Sequence, residues 1–419
     1  MDNQIYMCID LKTFFASCEC VHRGLDPFDT NLVVADPTRG NGAICLAISP
    51  KMKNQGIHNR CRIFEIPENI NYITAIPKMR MYMEYAATIY EIYLKYISKE
   101  DIHVYSIDES FINLTPYLSL YQKTSYELAK RIKEDVLKET GITATVGLGT
   151  NMYLAKIAMD IIAKHSDSQI AFLDQKKYRS ELWHHKPLTD FWQIGRGIEK
   201  RLAKHGIHDM YDIAHCPEEI LYKDFGINAR YLIDHAWGIE PTTMEDIHGY
   251  VPISKSISNS QVLFEDYEYK DAYLVLKEMV EINVLTLTSK HLVTNLISLR
   301  IGYSKDQAPP TGGSRTINQT TNAYSILLQE FCDLFKATTR KDVPIRTLAI
   351  SFGNIKEEKF EQYDLFTDYD KIEEEKNIQN SILEIKSKYG KNAILRGMNF
   401  CEKATTKKRN TLIGGHNAY

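Results

Sequence analysis

No apolar run in the 419 residues approaches the roughly 20 needed to cross a bilayer, and the N-terminus MDNQIYMCID lacks a basic-then-apolar leader. The expectation is a cytoplasmic protein that does not engage a membrane. No C-x-x-C pair occurs either: Cys8, Cys18, Cys20, Cys45, Cys61, Cys216, Cys332 and Cys401 are scattered. That argues against both a disulfide framework and a zinc site. The 13 histidines form no H-E-x-x-H, and the adjacent His184 and His185, beside Trp183, read as surface or packing residues. An excess of positive charge is missing too: 51 Lys+Arg against 54 Asp+Glu leave a net charge of −3. A uniformly basic nucleic-acid binder is therefore excluded, although a local basic face is not. There is no internal repeat and no low-complexity block.

What remains is ordinary globular composition, 44% hydrophobic and 25% charged, in a chain too long for one core, so two to four domains are expected. The start alternates, with Ile5, Met7 and Ile9 on one face and Tyr6, Cys8 and Asp10 on the other, a strand ending in an acid. KTFFASCECVHRG follows as a helix stopped by Gly24. Two short strands flank a Pro/Gly/Asn turn in NLVVADPTRGNGAICLAIS, and residues 77–98 open with Pro and read as a long helix. SYELAKRIKEDVLKETG predicts a helix closed by Gly141, ITATVGLG a strand and TNMYLAKIAMDIIAKH a helix. A helical segment then runs to about 240. Pro241 and Pro252 bracket a linker, residues 253–355 form a separate α+β unit, and the charge-dense remainder reads as a tail or solvated helix.

Chemistry concentrates in YSIDESF, where Asp108 and Glu109 stand side by side in a strand-like run. Adjacent carboxylates repel and cost free energy in a core unless a cation sits between them. With Asp10 at its strand end, the three could hold two Mg²⁺ ions about 4 Å apart, the arrangement used for in-line phosphoryl displacement. An acid pair capping a turn is the simpler explanation of YSIDESF taken alone. The ordered set CIDLKTFFASCE, YSIDESF and VGLGTNMYLAKIAMD, however, resembles the Y-family of translesion DNA polymerases, over roughly residues 1–355 and into the tail.

The resemblance implies an α+β multidomain fold, a right-hand polymerase with a palm (1–13 and 80–169), small fingers (14–79), a helical thumb (170–240), a linker (241–252), a C-terminal little finger (253–355) and a charged tail (356–419). Asp10, Asp108 and Glu109 match the metal-binding acids, with the Leu11 carbonyl toward the nucleotide-side metal. Amides near Phe14 lie by the triphosphate. Phe15 falls where the family keeps an aromatic gate against the 2′-hydroxyl. Lys53 and Lys156 fit phosphate binding, although Lys156 also has the i,i+4 spacing of a helix-surface pair with Asp160. Many relatives carry Tyr and Arg where this chain has Pro50 and Lys53, which points to the UmuC-type branch.

FWQIGRGIEKRLAKHGI resembles a helix–hairpin–helix, in which Gly195 and Gly197 would let backbone N–H groups approach a DNA phosphate. In the little finger, Lys255, Lys290, Arg300, Lys305 and Arg315 are candidates for a local basic face on DNA. In the tail, QYDLF resembles the pentapeptide that docks on the sliding clamp, with Gln362 for polar contacts and Leu365 and Phe366 as anchors. The expected partners are primer–template DNA, dNTPs and the sliding clamp, with RecA and a UmuD-like accessory subunit implied by the UmuC-type branch. The expected activity is error-prone, SOS-type translesion synthesis. A two-metal nuclease would need the same acids, but neither a gate at Phe15 nor triphosphate lysines. A non-catalytic clamp-tethered subunit would need none of the three acids.

Overall fold

The alternation in YMCIDL becomes strand β1 (Tyr6–Leu11), followed by helix α1 (Phe14–His22), which ends just before Gly24 at φ +69°. The computed structural model describes residues 4–252, 255–305, 307–365 and 367–419. These fall into two units, one ending at Tyr250 and one spanning Val251–Ala418.

In the first unit, β2 (Leu32–Val34), β3 (Ala47–Ile48), α2 (Pro50–Asn54) and β4 (Ile73–Ala75) form a small three-stranded lobe of order β3-β2-β4 around Val33, Cys45, Ile48 and Met52. Helix α3 (Met79–Leu94), β5 (Ile102–Val104), β6 (Glu109–Asn113), α4 (Thr115–Tyr121), α5 (Ser125–Thr140), β7 (Ala144–Gly149), α6 (Met152–Ile157) and β8 (Ile170–Leu173) complete a five-stranded sheet of order β5-β6-β1-β7-β8. The central strand β1 is antiparallel to both neighbours. Its alternation sorts two cores. Met7, Ile9 and Leu11 pack with Ile89 and Ile92 of α3 and Ile132 of α5, whereas Tyr6 and Cys8 meet Phe111, Met152 and Met159.

Two glycines bring α6 onto β7. A Cβ at Gly147 would lie 2.0 Å from the Ala155 carbonyl oxygen, and one at Gly149 would lie 2.3 Å from the Ala155 nitrogen. Any side chain there would push the helix away.

Helices α7 (Gln175–Leu182), α8 (Arg196–Ala203), α9 (Met210–His215), α10 (Glu218–Phe225) and α11 (Ala229–Ala236) share a core of Tyr178, Leu202, Met210 and Leu221. The segment 241–252 is only partly a linker. A Thr243–Asp246 capping box starts α12 (Met244–Gly249), whose Met244 is buried against Tyr6, Cys8 and Phe111.

The second unit is a four-stranded sheet, β9 (Ile257–Tyr267), β10 (Leu292–Tyr303), β11 (Thr311–Thr321) and β12 (Ile345–Gly353), ordered β11-β10-β12-β9. Helices α13 (Tyr269–Ser289) and α14 (Tyr324–Thr338) cover one face, burying Ile297, Leu299, Phe331 and Phe352. The expected charged tail is instead built into this unit. Strand β13 (Lys356–Glu357) pairs with β10, and α15 (Tyr369–Tyr389) lies on α13, where the Thr288 hydroxyl donates to Gln379 Oε1 at 2.9 Å. Buried Glu278 accepts from Asn399 Nδ2 and from the Thr405 and Thr406 amides, and Arg396 pairs with Glu281 at 2.9 Å. Along α15 only Ile372 and Gln379 are buried, so most of its charge faces solvent as expected, while Lys376 and Arg396 are tied to acids of the unit.

Candidate active site

The register of β1 against β6 sets Asp10 opposite Glu109. Asp108 lies one residue before β6, at the turn, where Ser106 Oγ donates to its Oδ1 at 2.6 Å. Its carbonyl accepts from the Leu11 amide at 2.8 Å, so the turn is tied to the end of β1. Two acids from neighbouring strands and a third from the adjoining turn thus gather at one end of the sheet. Burial pushes the Asp10 carboxyl above its ordinary range; Lys164 opposes the rise and Asp108 adds to it. The donor set consists of hard oxygens, which suits Mg²⁺. Among the described residues, no three His, Cys, Asp or Glu side chains are already arranged as an ion's ligands. Lysine ammoniums face the acids instead.

Those lysines come from one helical stripe. Lys156 Nζ reaches Glu109 Oε2 at 2.7 Å and Asp160 Oδ2 at 3.0 Å. Lys164 Nζ reaches Asp160 Oδ1 at 2.7 Å and Asp10 Oδ2 at 3.1 Å. After α6 the helix passes through a π turn, Ala158–Ile162. The wider turn carries Asp160 between the two lysines, a local irregularity common at functional sites. Cys8 completes the setting. Burial, then the nearby Glu109, holds its thiol protonated, and it donates to Glu109 Oε1 at 3.3 Å.

Lys156, expected from its motif to bind phosphate, is only 7% exposed, and both of its partners are carboxylates. Lys164, which sequence reasoning missed, is more open, with 39% of its side chain accessible beside Asp10. The K-x3-D-x3-K spacing of 156, 160 and 164 was the available signal, since it places all three on one helical face. Lys53, on α2, converges on the same place. Burial and then Lys164 pull its ammonium below the ordinary lysine range, Asp10 opposes them, and Lys12 adds to the lowering.

Phe14 and Phe15 part ways. Phe14 is 2% exposed in the core, while Phe15 is half-buried and stacks on Tyr82 with centroids 4.6 Å apart and planes at 19°. Tyr82 is itself fixed, because its hydroxyl donates to buried Glu19 at 2.8 Å. The turn into α1 is sharp: Thr13 is left-handed at φ 49°, and Ser17 Oγ donates to the Lys12 carbonyl at 2.7 Å.

At the expected helix–hairpin–helix, the first helix is a single 3₁₀ turn, Leu188–Asp190, and Gly195 caps α8 with open space where a Cβ would stand. In the second unit, Arg300 is exposed on the open face of the sheet, over a trough of about 810 Å³ lined by Ser258, Ser260, Ser298, Ser314 and Ser351. Lys255, Lys290 and Lys305 are exposed as well. Arg315 is not on that face. It is the register partner of fully buried Ile297, so strand alternation turns it toward α14, where it pairs with Glu330 at 3.1 Å. Gln362 forms an isolated bridge with Thr320, Leu365 is 99% exposed, and Phe366 lies outside the described residues.

Comparison with known proteins agrees with this geometry. Residues 9–160 match the impB/mucB/samB family, and residues 254–365 match the C-terminal domain of that family. UvrX of Bacillus subtilis (strain 168), named for UV-damage repair, is 32% identical over 98% of this chain and 97% of its own. A DNA polymerase IV 2 of the same organism is 27% identical over 99% of both chains. A solved Y-family DNA polymerase chimera, Dbh-Dpo4(243-245)-Dbh, superposes with TM-score 0.65 over 84% of this chain and 99% of that one, at 20% identity. The chain belongs to the impB/mucB/samB family, and with it to the Y-family polymerases of translesion DNA synthesis and repair.

Proposed function

We propose that the site formed by Asp10, Asp108 and Glu109 performs template-directed nucleotidyl transfer from a dNTP to a primer terminus. The observation that carries this reading is the Asp10–Glu109 register pair, with Asp108 beside it and Lys164 and Lys53 acting on Asp10. When bound, two Mg²⁺ ions would lower the barrier to attack by the primer 3′-hydroxyl and offset charge on the triphosphate and the leaving pyrophosphate. The chain's own groups do the rest. The three carboxylates and the Leu11 carbonyl would hold the ions, the Phe14 amide region and Lys53 and Lys164 would bind phosphate oxygens, and Phe15, backed by Tyr82, would block the 2′-hydroxyl. Lys156 holds Glu109 in place.

The five-stranded sheet with α3, α5 and α6 acts as palm, the small lobe as fingers, α7–α11 as thumb and the second unit as little finger. Backbone at Gly195 and Gly197, Arg300 and Lys255 contact the DNA backbone, and Gln362 and Leu365 engage the sliding clamp. Pro50 and Lys53 support the UmuC-type, SOS-induced branch, in which RecA and a UmuD-like subunit assist. Primer extension with Mg²⁺ and dNTPs tests the reading. Elongation supports it, and Asp108→Asn should abolish elongation while DNA binding persists. Primer degradation would point to a nuclease, and neither reaction in the presence of the accessory factors would point to a binding subunit.

A further inference from the structure

Away from the acids, a cavity of about 550 Å³ opens in the first unit between the β5–β6 edge and the helices α8–α11. Its size falls within the range of small-molecule sites. Its walls are aromatic and locked to one another. Trp192 packs on Tyr105 and on Phe111 at centroid distances of 5.8 Å each, and its Nε1 donates to the Tyr105 hydroxyl at 3.2 Å. Across from it, the His235 ring lies nearly parallel at 6.2 Å and 18°, and is backed by Tyr153 at 4.0 Å and 12°. Rings held this way give up little entropy on binding and present π faces, which select a flat, aromatic occupant.

The polar groups select further. Glu240 lines the cavity, but both of its oxygens are engaged, one with His235 Nε2 at 3.0 Å and one with the Thr242 amide at 2.9 Å. Its carboxylate is thereby committed to partners within the wall. The cation in the lining is the Arg201 guanidinium, which sits over the Phe225 ring at 4.2 Å and also acts on the Asp224 carboxylate. Burial keeps His103 toward its neutral form. Gln193 and Asn228 add side-chain amides, which carry both donors and acceptors suited to the edge of a heterocycle.

We infer that this cavity binds a planar heteroaromatic anion of the purine nucleotide class, with the base against Trp192 and the phosphate toward Arg201. It is separate from the site built on Asp10, Asp108 and Glu109, and no part of the inference depends on how that site works.

The probe is AMP, in equilibrium dialysis against the full-length protein in EDTA, so that metal-dependent triphosphate binding at the acids is excluded. One saturable site is expected. Its affinity should fall tenfold or more in Trp192→Leu and in Arg201→Gln. Asp108→Asn should not change it. Thr242→Phe, on a loop lining the cavity, should block AMP by filling the space while primer extension continues, and it decides the matter if Trp192→Leu does not fold. No saturable binding at millimolar AMP, or binding that survives Thr242→Phe, would overturn the assignment. Stoichiometric displacement of AMP by primer–template DNA would overturn it as well, because the cavity would then be part of the DNA track.

Discussion

Replacing Lys156 with methionine removes one ammonium and keeps most of the packed stem. In the native protein that ammonium lies between Glu109 and Asp160, with 9% of its side chain accessible and 10% of that of Glu109. Asp160 keeps Lys164 at 2.7 Å, but Glu109 keeps only the Cys8 thiol at 3.3 Å. Breaking one side of a buried pair costs about 3–5 kcal/mol. In a unit of this size each kcal/mol lowers the melting temperature by about 2–4 °C, so Lys156→Met should melt roughly 6–20 °C lower at pH 7. The deficit should shrink when Mg²⁺ is added, because a cation that binds only the folded state replaces the missing charge. Calorimetry at pH 7, with and without Mg²⁺, reads both effects. A melting temperature within 2 °C of the wild type at pH 7 would show that Lys156 does not hold Glu109, and would return it to the phosphate role its motif suggested.

Phe15→Ala should relax discrimination against rNTPs by about a hundredfold or more with a smaller loss of dNTP use, because a rigid wall, not weak binding, must reject the hydroxyl. Buried Phe14→Ala should instead cost about 3–5 kcal/mol of stability without admitting rNTPs. An unchanged ratio of kcat/KM for rNTP over dNTP in Phe15→Ala would misplace the gate. Gly149→Ala should cost about 2–3 kcal/mol in denaturant titrations and depress extension, since a Cβ 2.3 Å from the Ala155 nitrogen displaces the helix that carries Lys156. Wild-type stability would refute that close approach. Leu365→Ala should weaken clamp binding in a direct titration while leaving distributive synthesis intact, and equal affinity would place the docking elsewhere.

Much of the catalytic site was legible in the amino-acid sequence, because strands and helices convert spacing into faces. Alternation in YMCIDL put Met7 and Ile9 into one core and Cys8 toward the other. The acids stand out because paired carboxylates in an apolar run need an explanation, and glycines 24 and 141 end their helices because left-handed backbone favours glycine. The limits of that reading are equally physical. Period alone cannot say which strand edge a helix will meet. The partners of Lys156 became visible only once Gly147 and Gly149 let α6 settle against β7, and the π turn then chose Lys164 as the lysine beside Asp10. Arg315 looked like any exposed base until its register opposite Ile297 turned it inward to Glu330. The mixed charge of residues 356–419 suggested solvent, and most of α15 does face it, yet Lys376 and Arg396 close ion pairs within their own unit. Composition and spacing determine which groups are present and which face of an element each takes. Only tertiary packing decides which opposite charge each one meets, because that depends on distances between segments far apart in the chain.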